Sequence, residues 1–233
     1  MLYRIRPFGD SITAGYGLGW GCPYKPPAPQ PTSCWPPNEI GGGYRAFLAK
    51  APPNKVPMLM VGYRYDNSAM WMWQAGQQNH DGYTGFTISN LFPKSQLPLD
   101  ADVILVHAGT NDILLGANGA TTAQSLTQLL VNLLMHNHHA TILVAQIVPI
   151  YNYGKEAVVL DYNSRIPGVV AQFQPWGRVV KYVDLNSGMQ PRHFVDGVHP
   201  NYDGYEKMAD GWTIAINALP AVALPAIPGD GQS

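Results

Sequence analysis

The sequence predicts an α/β fold, a three-layer α/β/α sandwich built on a five-stranded parallel sheet, and three observations predict it. Apolar, β-rich runs recur along the 233 residues, amphipathic helical patterns lie between them, and short polar loops follow the runs. Strands covered by helices on both faces read as near-continuous apolar stretches, as these do, whereas a half-solvated antiparallel sheet would alternate.

The first run, "YRIRPF" (3–8), leads straight into "GDSITAG" (9–15). Four further strands are expected in "VPMLMVGY" (56–63), "DVILVHAG" (102–109), "TILVAQIVP" (141–149) and "RVVKYVD" (178–184). The clearest helix is "TTAQSLTQLLVNLLMH", in which Ala123, Leu126, Leu129, Leu130, Leu133 and Leu134 share a face and Thr121 or Thr122 can cap the start. A last helix, from about Asp203 to Ala218, places Tyr205, Met208, Ala209, Trp212 and Ile216 on one side, ready to cover the sheet. One domain is therefore assigned to 1–218. Residues 219–233, rich in Pro and Gly and without periodicity, read as a tail or the stub of a linker. No internal repeat is visible.

Composition narrows the partners. A formal net charge of −1 and 12% charged residues leave no basic patch for nucleic acid and no acidic run for a cationic partner. Thirteen Tyr and six Trp suit either an aromatic core or a surface that stacks on neutral molecules. No window approaches the ~20 apolar residues that span a bilayer, and "MLYRIRPF" enters a strand at once, so no signal peptide is visible in this chain. Cys22 and Cys34 share the Pro-rich stretch "CPYKPPAPQPTSC". A disulfide closing a loop of that size would stabilise by roughly 3 kcal/mol, which favours an oxidising compartment; two thiols in a reduced cytosol are the alternative. The expected location is thus secreted or periplasmic, with the cytoplasm second.

In parallel α/β sheets ligands bind beyond the carboxyl ends of the strands, so the loops there carry the chemistry. Ser11 follows the first strand, "GTND" (109–112) the third, and "DGVHP" (196–200) the fifth. A serine hydroxyl is a weak nucleophile until a base takes its proton, and the base needs a third group to fix its tautomer. Asp196 and His199 can supply both from one tight turn. The charge that develops on an attacked carbonyl oxygen calls for fixed donors, for which the Ser11 N–H, a glycine N–H such as that of Gly85 in "HDGYTGF", and the Asn111 side-chain amide are candidates.

Four blocks in order, "GDSIT", "DGYTG", "GTND" and "DGVHP", make the chain resemble the SGNH, or GDSL, hydrolase family. Within it the likeness is to acetyl-ester-cleaving carbohydrate esterases of the acetylxylan esterase kind, through "GGYR" (42–45), "VGYRYDN" (61–67) and "HPNYDGYEKMA" (199–209), and runs from about residue 5 to 218. The resemblance implies a flavodoxin-like fold, Ser11 as nucleophile, His199 as base, Asp196 as its orienter, and Ser11, Gly85 and Asn111 as oxyanion donors. It also implies a small-molecule or polysaccharide ester as substrate and calls for no cofactor and no metal. Two departures stand out: Tyr83 occupies a position where the related esterases often carry histidine, and the Pro-rich insertion before "GGYR" is long. Asp10, Tyr83, Trp71 and Trp73 are the candidate substrate-binding residues.

Each residue also has a plainer use. Ser11 alone could be a turn residue bonding its own backbone, Asp112 is expected to cap the turn after the third strand, and "MWMW" (70–73) either walls a cleft or packs a loop. His193 is a rival base without an aspartate at matching spacing, and His80 and His107 are further candidates for touching the site. His136, His138 and His139 cluster like metal ligands, although the end of a helix is itself a favourable place for imidazolium. Competing functions are a lipase, lysophospholipase or thioesterase on the same catalytic set, and a noncatalytic carbohydrate-binding domain, against which the intact Ser11, Asp196 and His199 argue. The glycines of "GYGLGWG" miss the G-x-G-x-x-G spacing of dinucleotide enzymes, and no serine stands in a G-x-S-x-G elbow.

Overall fold

The computed structural model describes residues 2–17, 41–50 and 57–219. The expected pair Cys22 and Cys34 and the tail beyond Leu219 lie outside the described residues.

Strand β1 (Tyr3–Gly9) leads into a four-residue helix α1 (Ser11–Ala14), and α2 (Tyr44–Lys50) precedes β2 (Met58–Met60). An excursion carrying α3 (Met70–Gln74) then returns to a two-residue strand β3 (Asp81–Gly82) and α4 (Ile88–Ser95). Next come β4 (Val103–His107), α5 (Thr110–Leu114), α6 (Gly119–His136), β5 (Thr141–Ala145), α7 (Glu156–Ala171), β6 (Val180–Val183) and α8 (Tyr202–Asn217). The sheet order is β2-β1-β4-β5-β6 with every pairing parallel, and β3 pairs with β1 beyond the end of β2. The sheet therefore has six strands rather than the expected five. The sixth is too short to show a period of its own, and it exists because its backbone bonds to the end of β1.

Both faces of the sheet are buried. Ile104, Val106, Ile142 and Val144 turn toward α4, α6 and α7, whereas Val103, Leu105, Leu143 and Ala145 turn toward α2 and α8. That alternation within uniformly apolar strands explains why the sequence showed no period of two. The six residues assigned to the inner face of α6 and the five assigned to α8 are all buried. The start of α6 lies earlier than expected: Asn118, not Thr121 or Thr122, is the cap, its side chain accepting from the Thr121 N–H at 2.8 Å.

Three strand ends stand level at the carboxyl edge, because Gly9 pairs with Gly82 of β3 and with His107 of β4. The loops after those strands begin at a common height, and these loops carry Ser11, Gly85 and Asn111.

Candidate active site

Ser11 does not sit in a plain turn. It is the first residue of α1, whose N-cap is Asp10, with Asp10 Oδ1 accepting from the Ile12 N–H at 3.0 Å. At this position the Ser11 N–H has no carbonyl to reach within its own helix and faces outward from the N-terminus. Ser11 Oγ donates to Nε2 of His199 at 2.9 Å, and His199 Nδ1–H donates to Asp196 Oδ2 at 2.8 Å. The other carboxylate oxygen, Oδ1, accepts the backbone N–H groups of Val198 and His199 at 2.9 and 2.8 Å. Burial pushes the Asp196 carboxyl up, but those backbone donors and the imidazole outweigh it and leave Asp196 below the usual range, hence ionised. An ionised Asp196 fixes the proton of His199 on Nδ1 and leaves Nε2 as an acceptor.

The turn that holds this pair is closed twice. Val195 N–H donates to the His199 carbonyl at 2.9 Å, Asn201 N–H to the His193 carbonyl at 2.8 Å, and Gly197 takes φ +86° hard against Tyr151, where a Cβ would meet the Tyr151 carbonyl. Tyr16 lies across from the imidazole at a ring-centroid distance of 6.3 Å, and its carbonyl accepts the Tyr205 hydroxyl.

Gly85 is exposed at φ +75°, with nothing within 4 Å of where a Cβ would stand. The Asn111 amide donates to the carbonyl of Phe86 at 3.0 Å, which ties the start of α5 to the segment carrying Gly85. One Asn111 N–H is thereby used and the second is left for another acceptor. The Asp112 carboxylate accepts its own backbone N–H, as expected of a residue capping its turn, and also the Ile88 N–H at 3.0 Å, which ties α5 to the first turn of α4.

Two expected substrate-binding residues do not line the site. Asp10 is fully buried beneath α1; burial raises its carboxyl to about 6 against the Ile12 N–H and the nearby His199, which lower it. Tyr83 is buried, stacked on Phe86, and its hydroxyl donates to Asp81 at 2.8 Å, so its polar end is already satisfied. Trp71 and Trp73 lie half-buried on α3, Trp71 under the Lys50 ammonium and Trp73 edge-on to the exposed Tyr65.

His193, His107, His80 and His136 have structural partners. His193 Nδ1 accepts the Gln190 N–H at 2.9 Å within a buried turn. Burial takes His107 down to about 4, and its Nε2 accepts from Val148 N–H at 3.3 Å. His80 is equally buried and held well below the usual histidine value by burial and by the Arg45 charge; its Nε2–H donates to the Asp66 carbonyl while Nδ1 accepts from Gly82 N–H. Neither has any exposed surface. His136 Nδ1–H donates to the Asn132 carbonyl at the end of α6, and among the described residues no three His, Cys, Asp or Glu side chains stand together as metal ligands.

Sequence reasoning missed Arg6, Asp81 and Arg45. Arg6 and Asp81 form a fully buried ion pair at 2.7 Å, and Asp81 in turn holds Tyr83, so the pair fixes the segment leading to Gly85. For Arg6 the available signal was a charge within a strand otherwise buried on both faces; Asp81, in a polar stretch, gave none.

The pattern of the GDSL-like lipase/acylhydrolase family matches residues 8–207. A multidomain esterase of Ruminococcus flavefaciens is 27% identical over 270 residues, covering 99% of this chain, which spans 31% of that relative's length. The solved family 3 carbohydrate esterase of Clostridium thermocellum superposes with a TM-score of 0.72 at 26% identity, over 93% of this chain and 98% of its own. A family 3 carbohydrate esterase from Talaromyces cellulolyticus shares the fold at 21% identity and a TM-score of 0.66, over 92% and 96% of the two chains. No helix among the described residues is long and apolar enough to cross a membrane.

Proposed function

Because the chain belongs to the GDSL-like lipase/acylhydrolase family, whose members are carboxylic ester hydrolases, we propose that it removes short acyl groups, acetyl foremost, from carbohydrate through a serine-bound acyl intermediate. The observation that carries this reading is the hydrogen-bonded line Ser11–His199–Asp196 at the carboxyl edge of the sheet. His199 Nε2 takes the Ser11 proton as Oγ bonds to the ester carbonyl carbon, and the carbonyl electron pair moves onto oxygen. Ser11 N–H, Gly85 N–H and the second Asn111 amide proton stabilise that oxyanion. Collapse breaks the bond to the sugar oxygen, which leaves with the proton from His199. Water then repeats the sequence on acetyl-Ser11 and releases acetate. Asp196 stays ionised throughout and stabilises the imidazolium.

The sugar preference is supported by aromatic faces on the excursion between β2 and β3. Tyr65 is 55% exposed with Trp73 against its edge, a surface that offers apolar contact to a sugar ring. Carbohydrate esterases among the similar structures point the same way, and a polysaccharide substrate agrees with the secreted or periplasmic location expected of the sequence. The test is the slope of kcat/KM over p-nitrophenyl esters from acetate to octanoate, run beside acetylated xylan. A groove that buried the acyl chain would add ~0.8 kcal/mol per CH₂ and raise kcat/KM severalfold per carbon. A fall from acetate onward with acetate released from xylan is expected; a maximum at octanoate would assign the protein to the lipases instead.

A further inference from the structure

The stretch "GGYR" (42–45) takes no part in the proposed chemistry, yet all four of its residues meet the nucleophile helix. Gly42 and Gly43 stand against Gly15, the C-cap of α1: a Cβ on Gly15 would lie 2.6 Å from the Gly43 nitrogen, and one on Gly43 2.7 Å from the Gly15 Cα. Tyr44 donates its hydroxyl to Thr13 Oγ1 at 3.3 Å. Arg45 then reaches under the end of α1. Its Nε donates to the Thr13 carbonyl at 3.0 Å and its Nη2 to the Ala14 carbonyl at 3.1 Å.

A helix of four residues cannot hold itself, because it fixes as many dihedrals as a nucleus and gains almost no hydrogen bonds in return. All four of its carbonyls point off its C-terminal end. The chain itself satisfies two of them: the Ser11 carbonyl accepts from Tyr16 N–H at 3.0 Å and the Ile12 carbonyl from Gly15 N–H at 3.1 Å. Arg45 satisfies the other two. The two Nη1 protons go to Ser68 Oγ at 3.2 Å and the Gln78 carbonyl at 3.1 Å, so the same guanidinium joins α1 to the excursion that returns as β3.

Arg45 is fully buried, and among the described residues no carboxylate forms an ion pair with it. Its hydrogen-bond acceptors are all neutral and the Asp66 carboxylate acts on it only from beyond ion-pair distance, so burying this cation is expensive, and a chain that needed only packing would fill the space with an apolar side chain. The planar fork explains the choice, since it reaches two adjacent carbonyls with its Nε and Nη2 edge and two more groups from Nη1. A positive charge at this end also opposes the partial negative charge of the helix C-terminus.

We propose that Arg45 is a positioning residue for the reaction: it clamps the C-terminal end of α1 and thereby sets the direction of Ser11 Oγ and of the Ser11 N–H. The proposal rests on the reading of Ser11 as nucleophile.

The experiment compares Ser11→Ala, Arg45→Ala and Arg45→Lys with wild type in p-nitrophenyl acetate hydrolysis, with circular dichroism to confirm folding. Arg45→Ala is expected to lose about 100-fold in kcat with KM nearly unchanged, the size of effect a displacement of about an ångström has on reacting groups. Added ethylguanidinium should restore part of that loss. Arg45→Lys, with one charged donor group instead of a fork, should lose about tenfold and show an alkaline limb that begins at lower pH than in wild type, where burial already lowers the Arg45 guanidinium to about 10, as the buried ammonium facing Tyr44, Asp66, Tyr205 and His80 gives up its proton. Should Arg45→Ala not fold, Arg45→Lys decides by that limb. If Ser11→Ala is inactive while a folded Arg45→Ala, or Arg45→Lys at every pH, keeps kcat within twofold of wild type, the clamp is refuted and the serine reading stands. A Ser11→Ala variant that retains wild-type turnover removes both.

Discussion

His199 is held from two sides by groups of opposite demand, a hydroxyl that must give up a proton and a carboxylate that must not take one. Asp196 keeps the second condition because its Oδ1 already accepts two backbone N–H groups, which lower its affinity for a proton. Asp196→Asn turns the orienting acceptor into an amide that can present a donor to Nδ1, favouring the wrong tautomer; kcat is expected to fall on the order of 10³–10⁴-fold, and a loss under tenfold in steady-state kinetics would deny Asp196 the role. Asn111→Ala removes a donor and should lower kcat ~100-fold with little change in KM. An unchanged kcat would leave Asn111 the single task of bonding the Phe86 carbonyl. At this scale the sequence showed Ser11 directly after the first strand and Asp196 three residues from His199, and the structure brings the three into one hydrogen-bonded line. Asp10 and Tyr83 were misread because their partners are local in structure but not evident in sequence: Asp10 caps a helix too short to show a period, and Tyr83 spends its hydroxyl on a residue two positions back. Arg45 was quoted within "GGYR" but given no role, since only the folded chain brings it beneath α1.

Among elements, those long enough for a full hydrophobic period were read with their faces correct, α6 and α8 above all. The short ones, α1 and β3, escaped because tertiary contacts rather than propensity create them. Their packing leads to a contrast between two variants. Gly82 lies so close to α1 that a Cβ would meet the Ala14 backbone nitrogen, so Gly82→Ala must push α1 off the sheet and with it Ser11. Stability and kcat should fall together. Leu130→Ala empties a fully buried site in the opposite layer and should cost about 2–5 kcal/mol in urea unfolding. Its kcat, measured where the variant is fully folded, should match wild type. Equal effects of the two substitutions on kcat would mean that the position of α1 is not what the sheet edge controls.

Three fully buried titratable groups stand near the carboxyl edge: Asp10 and His107 at the ends of β1 and β4, and His80 just before β3. The unfolded chain protonates His80 and His107 below about 6.5, whereas burial keeps His107 neutral down to about 4 and His80 well below the ordinary value. Between those limits the unfolded state binds more protons, so stability is lost as pH falls from about 6.5 toward 4. Asp10 works the other way: its folded value of about 6 lies above the ordinary 3.8, so its contribution favours the folded state at the acid end of that window and disappears as pH rises through it. His193, also held below the ordinary value by burial, adds to the histidines, and Asp112, raised by burial, adds to Asp10; three histidines outweigh two carboxyls, and the urea midpoint is expected to be lower at pH 5 than at pH 7. A midpoint that is unchanged or higher at pH 5 would show that these imidazoles are not held neutral. The layered architecture and the edge that bears the site were legible at this scale because alternating runs dictate them; the fine height of the loops was not, since it depends on the register of Gly9 with Gly82 and His107. The central claim is that one hydroxyl, activated by His199, does the covalent chemistry, and it is tested most directly by labelling. The protein is treated with one equivalent of a fluorophosphonate and its peptides are mapped by mass spectrometry. A single adduct on Ser11, formed in step with loss of esterase activity and absent over the same time from His199→Ala, is the expected result; activity lost with the adduct on another residue, or retained with Ser11 fully labelled, would contradict it.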